Sequence, residues 1–105
     1  MKVKEFFLEE QEKETDLQKR LKLIKKIFHL CMEINSKNKY YAFYYLYPHV
    51  KEISVRVTPI DDYDRSLYDN LSIYYDCDFK THDEMMDTLK QTVSTLIKYL
   101  RKINE

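Results

Sequence analysis

The chain has 105 residues, of which 44% are hydrophobic and 34% charged, and its formal net charge at pH 7 is zero. This length supports one domain with one core, and the balance of apolar and charged residues excludes a disordered chain. Glycine is absent. Because Walker and Rossmann phosphate loops and the EF-hand calcium loop depend on glycine, the sequence excludes these three kinds of site.

Compartment and source follow from further features of composition. No apolar run approaches the roughly 18 residues of a membrane span, and the apolar patch near the N-terminus is too short for a secretory signal. Cys31 and Cys77 lack metal-type spacing and are expected to be free thiols of a cytoplasmic protein. Alanine occurs once, whereas Lys, Ile, Tyr and Asn abound. This bias is typical of AT-rich genomes, so we expect a low-GC bacterium, or its phage or mobile element, as the source.

The N-terminal half of the chain predicts one long helix. Residues 1–14 are expected to form an arm or a short helix, and residues 15–35 the long helix. Thr15 and Gln18 match a capping box at its start, and an Asn within residues 35–38 is expected to end it in the left-handed conformation. The residues predicted to form its buried stripe are Leu17, Leu21, Ile24, Ile27, Phe28, Cys31 and Ile34. The residues predicted to fill its outer face are Lys19, Arg20, Lys22, Lys25 and Lys26.

Three strands are predicted over residues 39–47, 51–58 and 71–79, because aromatic and β-branched residues crowd these segments. The first strand is apolar on both faces, which favours a central position in the sheet. In the second strand Ile53, Val55 and Val57 are expected to face the core. Its remaining residues, expected to face away, are Ser54, Arg56 and Thr58. The alternation in the third strand predicts one inward-facing set, namely Leu71, Ile73, Tyr75, Cys77 and Phe79.

A second long helix is predicted over residues 82–104, after a capping box at Thr81 and Glu84. Its predicted buried stripe is Met85, Leu89, Val93, Leu96, Leu100 and Ile103. The element order α-β-β-β-α with short connections predicts an α+β fold, a single two-layer domain over residues 1–105. In this fold a three-stranded antiparallel sheet carries both long helices on one face.

The sheet face away from the helices is the candidate binding surface. Its predicted residues are Tyr40, Tyr44, Arg56, Tyr74 and Asp76, with Leu46 beside them. Because both faces of the first strand are apolar, the opposite set of its residues is an alternative for this surface, namely Tyr41, Tyr45 and Tyr47. Ten tyrosines exceed what a small core needs, and Tyr and Arg are enriched at protein interfaces. This favours another protein as the partner. A homodimer, base stacking, and tyrosines that only shield the sheet are the alternatives.

Charge is distributed along the chain in blocks. Residues 17–58 carry nine basic and two acidic side chains, a net charge of +7, whereas residues 59–87 carry two basic and nine acidic, a net charge of −7. Blocks of opposite sign suit electrostatic steering toward a partner. Lys19, Lys22, Lys25 and Lys26 form a predicted basic ridge, which a nucleic-acid-binding regulator would use. Nucleic acid is the weaker candidate because the overall charge is balanced.

The sequence contains no recognisable catalytic constellation, such as a Ser/His/Asp set or an HExxH motif. A metal site drawn from Asp76, Asp78, His82 and Asp83 is the weaker alternative, because Asp83 suits a helix start and the other acids suit solvent. We therefore predict no cofactor and no enzyme activity. The sequence favours a small protein that acts by binding another protein, as an adaptor or as a phage-type inhibitor of a host protein. The alternative is a nucleic-acid-binding regulator.

Overall fold

The computed structural model describes residues 14–104, so the predicted arm over residues 1–14 lies almost wholly outside the described residues. The elements are helix α1 (Asp16–Ser36), strands β1 (Tyr40–Tyr47), β2 (Glu52–Pro59) and β3 (Tyr68–Tyr74), and helix α2 (His82–Ile103). The strands form one antiparallel sheet in the order β1-β2-β3, and both helices pack on one face of it. The predicted α+β fold is confirmed. Neither helix is long and apolar enough to cross a membrane, within the part of the chain that the structure describes.

Both helices begin at capping boxes, as predicted. The Gln18 backbone amide donates to Thr15 Oγ1 at 3.1 Å, while the Thr15 backbone amide donates to Gln18 Oε1 at 2.8 Å. Thr81 and Glu84 make the same reciprocal pair at 3.1 and 3.0 Å. At the other end of α1, Asn38 takes a φ of 59° and turns the chain into β1. Asn thus supplies the left-handed residue that glycine supplies in most proteins.

The core lies between β2 and the two helices. Ile53, Val55 and Val57 of β2 are fully buried, as predicted, and they pack beneath both helices. The helix residues that meet them are Ile27, Cys31, Ile34, Leu89, Val93 and Leu96. The predicted stripe of α2 is therefore confirmed at its centre. The predicted stripe of α1 is wrong at Leu17 and Phe28, which are exposed.

Strand β1 lies at an edge of the sheet, so its predicted central position is wrong. Its even-numbered residues face the helices and its odd-numbered residues face the opposite side, as the pairing of Ala42 with Val57 and of Phe43 with Arg56 shows. Apolar side chains on both faces therefore do not need a second neighbouring strand. At the free edge, the Asn35 side chain donates to the Ala42 carbonyl at 2.9 Å and accepts from the Ala42 amide at 2.7 Å.

Strand β3 begins and ends earlier than predicted and contains an irregularity. Ile53 pairs with Ile73, but Val55 pairs with Asn70, so Leu71 and Ser72 together face Ser54. Such a bulge re-aims the extra residue, and Leu71 is 60% exposed where the alternation predicted burial. Ile73 is buried as predicted. Phe79, also predicted to face inward, is 69% exposed because it follows the end of the strand.

Arg20 is buried at 6% exposure, although its predicted place was the outer face of α1. Its Nε donates to the Tyr75 carbonyl at 2.6 Å, its Nη1 lies 2.7 Å from His82 Nδ1, and its Nη2 lies 3.6 Å from an Asp76 carboxylate oxygen. Because a guanidinium only donates, His82 Nδ1 is the acceptor in this contact. Arg20 therefore ties α1 to the segment between β3 and α2.

Replacing Arg20 should lower the stability of the whole domain. We expect Arg20→Ala to reduce the free energy of unfolding by about 2–3 kcal/mol, since three polar contacts are lost and the partly buried carbonyl of Tyr75 loses its donor. Urea unfolding followed by circular dichroism measures the change. Lys22→Ala is the matched control, because its Nζ pairs with Glu14 at 2.8 Å in solvent and should contribute less than about 1 kcal/mol. Equal losses for the two variants would contradict the structural role of Arg20.

Candidate functional site

Two of the tyrosines predicted for the outer face, Tyr40 and Tyr44, lie on the helix side. The Tyr40 ring meets the Tyr99 ring of α2 edge-on at 5.2 Å between centroids, and the Tyr44 ring meets Phe28 of α1 at 5.4 Å. Both pack against the core cluster, and burial raises the pKa of the Tyr44 hydroxyl. Their predicted place on the outer face is wrong. The register decides it, because Tyr44 stands opposite the inward-facing Val55.

The alternative set forms the outer face. Tyr41, Phe43, Tyr45 and Tyr47 project from β1 on the side away from the helices. Neighbouring ring centroids lie 6.1 Å apart from Tyr41 to Phe43 and 6.4 Å apart from Phe43 to Tyr45, and the second pair is within 3° of parallel. Tyr74 on β3 adds a fifth ring, and the Phe79 ring, the sixth, meets it edge-on with 4.9 Å between the centroids. We call these six residues the aromatic outer face.

Exposure separates this face from the core. Tyr45 is 46% exposed, and Tyr41, Tyr47 and Phe79 are exposed as well. Between them the small residues of β2 form the floor, where Ser54 is buried and donates to the Leu71 carbonyl at 2.6 Å. Large rings thus stand on a hydrogen-bonded base. Rings held by one another lose little conformational freedom on contact with a partner.

Arg56 lies on the outer face, as predicted, but the chain's own loop occupies two of its N–H donors. Its Nε donates to Ser66 Oγ at 2.6 Å and its Nη2 donates to the Tyr63 carbonyl at 2.7 Å. The guanidinium carbon also sits 5.7 Å from the Phe43 ring centroid. Arg56 therefore pins the loop of residues 60–67 beside the aromatic row, and it is a positioning residue for that loop.

Tyr74 and Asp76, the last two residues predicted for the outer face, lie on different sides of the sheet. Tyr74 is on the outer face opposite Glu52, and its hydrogen bond to the Glu52 carboxylate raises the pKa of the Tyr74 hydroxyl. Asp76 instead approaches Arg20 on the helix side. Its predicted place on the outer face is wrong because β3 ends at Tyr74, after which the chain no longer alternates between faces.

The surroundings of the aromatic outer face are acidic. Glu52 lies on the face itself, Asp69 stands opposite Arg56, and the loop held by Arg56 contributes three exposed acids, namely Asp61, Asp62 and Asp64. Arg65 and Lys51 are the bases of the same loop and of the β1–β2 turn. Acids outnumber bases around the rings, so the face is apolar at its centre and negative at its rim.

The predicted basic ridge lies on the other layer of the molecule. Lys19, Lys22, Lys25 and Lys26 are all exposed on α1, and Lys22 pairs with Glu14. The sheet separates these lysines from the aromatic outer face. A single-stranded nucleic acid stacked on the rings would therefore place its phosphates beside the acidic rim, away from the ridge.

The structure also describes the surroundings of two residues considered for a metal and of the two cysteines. Asp76 and His82, two of the four residues considered for a metal, both contact the Arg20 guanidinium. No group of three or more His, Cys, Asp or Glu within residues 14–104 is arranged to hold a metal ion. Cys31 is buried, and burial raises the pKa of its thiol to about 12. The Cys77 sulfur lies 3.9 Å from the Met85 sulfur.

No protein-family model matches this chain, and comparisons with curated proteins and with solved structures find no match. The geometry of the described residues therefore carries the functional argument alone.

Removing the Arg56 side chain should release the loop of residues 60–67. We expect Arg56→Ala to speed amide exchange across this loop by about 10-fold and to lower the free energy of unfolding by about 1 kcal/mol, because two hydrogen bonds and the contact with Phe43 are lost. Arg65→Ala in the same loop is the control and should change neither quantity. Unchanged exchange in Arg56→Ala would show that the loop holds its place without the arginine.

Cys31 should resist thiol reagents in the folded protein. In a Cys77→Ser background at pH 8, we expect labelling of Cys31 to be about 1,000-fold slower than in urea, because the thiolate is the reactive form and its population falls as the pKa rises. The raised pKa also means that folding keeps the thiol protonated. The associated stability is complete below the unfolded pKa and is lost as pH rises toward 12. Equal labelling rates in the folded and unfolded protein would contradict the buried position.

Proposed function

We propose that this protein is not an enzyme and that it acts in the cytoplasm by binding another protein through the aromatic outer face, as an adaptor or an inhibitor. The observation that carries the proposal is the row of four aromatic side chains on β1, which faces away from both helices. Exposed tyrosine rings on a sheet offer large, rigid contact area with polar tips, and such residues dominate the energetic centre of protein interfaces.

The acidic rim specifies the chemistry of the partner. A surface that presents Lys or Arg would meet negative charge around the rings and could place a cation over Tyr45 or Tyr47. The chain makes one such contact itself, between Arg56 and Phe43. We therefore propose a partner whose contacting surface is basic, and we expect its association rate to fall as salt rises.

The nucleic-acid alternative would use the basic ridge of α1. All four lysines of the ridge are exposed, which favours contact with phosphates. The proposal and its alternative therefore place the working surface on opposite layers of the molecule. Variants on the two layers distinguish them.

The test compares two variants of the tagged, full-length chain. Tyr41→Ser with Tyr47→Ser removes two exposed rings of the β1 row in the aromatic outer face, and Lys22→Glu with Lys26→Glu inverts the charge of the ridge at two positions. We expect a bacterial protein captured from lysate by the wild type to be retained by the ridge variant. We expect purified partner to bind the face variant at least about 10-fold more weakly. Circular dichroism checks that both variants fold.

Two outcomes would contradict the proposal. Equal affinity of the purified partner for the wild type and the face variant would move the interface away from the rings. Binding of single-stranded DNA or RNA at low salt that is lost in the ridge variant would favour the nucleic-acid regulator.

A further inference from the structure

We propose that β1 is the seam of a homodimer, in which two copies join edge to edge and antiparallel about a two-fold axis at Tyr45. This inference concerns the edge of the sheet and does not depend on the function proposed for its face. It would unite two three-stranded sheets into one sheet of six strands.

The first observation is that, among residues 14–104, only the Asn35 side chain bonds to the outer edge of β1. Ala42 directs its amide and carbonyl away from β2, since both bond to Asn35. By the alternation of an antiparallel ladder, Tyr44 and Leu46 direct theirs the same way. Within residues 14–104 these two residues have no further backbone or side-chain partner at that edge. Unpaired strand groups of this kind are a template for another strand.

The two edges of the sheet differ in their protection. Strand β3 is interrupted by a bulge and carries Asp69, and both features discourage pairing with another strand. Strand β1 has eight residues in uninterrupted register with β2 and contains no charge and no proline. A long, regular, uncharged edge is one that a soluble protein normally covers.

The register follows from what the edge leaves open. If Tyr44 faces Leu46 of the second copy, the two-fold axis also pairs Leu46 with Tyr44 of that copy, and every open amide and carbonyl of both is satisfied. Placing Tyr44 opposite its own counterpart would bring Leu46 to Ala42, which Asn35 already occupies. Placing Leu46 opposite its counterpart would bring Tyr44 to Pro48, which lies in the turn and has no amide hydrogen.

A second copy suits this edge because the strand is compatible with itself. Its eight residues are uncharged, so antiparallel self-pairing sets no like charges opposite one another along the strand. Leu46, 51% exposed, lies beside the edge on the helix side. Phe28, Met32 and Asn35 occupy one side of α1 along the same edge, and Phe28 and Met32 are exposed. Pairing would cover apolar surface on both sides of the sheet.

The test begins with the oligomeric state of the full-length chain. Sedimentation equilibrium up to about 1 mM protein should show a dimer, and amide exchange at Tyr44 and Leu46 should slow as the dimer forms. Tyr45→Lys would set two like charges opposite each other at the axis, so we expect its dimer dissociation constant to rise at least about 10-fold. Leu71→Lys, at another exposed position on the strand of the opposite edge, is the control and should leave the constant unchanged.

Cross-linking tests the register itself. In a Cys77→Ser background, Tyr45→Cys should form an interchain disulfide on mild oxidation, because non-hydrogen-bonded partners have Cα atoms about 4.5 Å apart. Phe43→Cys on the same face should not, since the axis sets it opposite Tyr47. A monomer at all concentrations, or a dimer that Tyr45→Cys fails to cross-link, would overturn the proposal. Protected Tyr44 and Leu46 amides in a monomer would overturn it as well, by showing that the same chain covers the edge.

Discussion

The placement of one positive charge inside the domain determines how its two layers meet. Arg20 cannot be buried unless its guanidinium finds acceptors, because an unpaired interior charge costs several kcal/mol. A carbonyl, an imidazole and a carboxylate meet it, and all three come from the short segment between Tyr75 and His82. The path of this segment, and with it the start of α2 beside the start of α1, follows from that requirement.

The sheet serves two purposes because successive side chains of β1 point to opposite faces. Tyr40 and Tyr44 complete the core beneath the helices, while Tyr41, Tyr45 and Tyr47 are exposed on the other face and Phe43 is half-buried among them. The aromatic residues on the two faces of β1 therefore serve different ends. Those on the helix side contribute to the core, and those on the outer side provide exposed contact area. The central strand β2 supplies the rigid floor to both. A partner on the face and a second copy on the edge would use different groups of the same strand.

Local patterns in the sequence predict the elements well, and long-range register limits the rest. The capping boxes and the inward-facing set of β2 rest on neighbouring residues and are confirmed, whereas Ser54 and Thr58, which were expected to face out, are buried. The choice between Tyr44 and Tyr45 depends on which residue faces Val55 across the hairpin, and periodicity alone cannot decide it. The bulge at Leu71 has no local signal. The burial of Arg20 did have a local signal, because Arg20 lies on the same helical repeat as Ile24, Ile27 and Ile34. Its charge nevertheless favoured a solvent-facing position, since arginine is seldom buried.

The parallel alignment of the two helices gives the acidic stretch after β3 a structural meaning. Since α1 and α2 start side by side, with Asp16 and His82 3.7 Å apart, the positive ends of both dipoles meet at one end of the domain. Acids gather there, on both first turns and on the segment that leads into α2. The Thr81 amide holds the pKa of the Glu84 carboxyl below its usual range. Much of the negative charge in residues 59–87 thus compensates the positive ends of the two helix dipoles. The number of acids alone therefore overstates how much of this charge is available to a ligand.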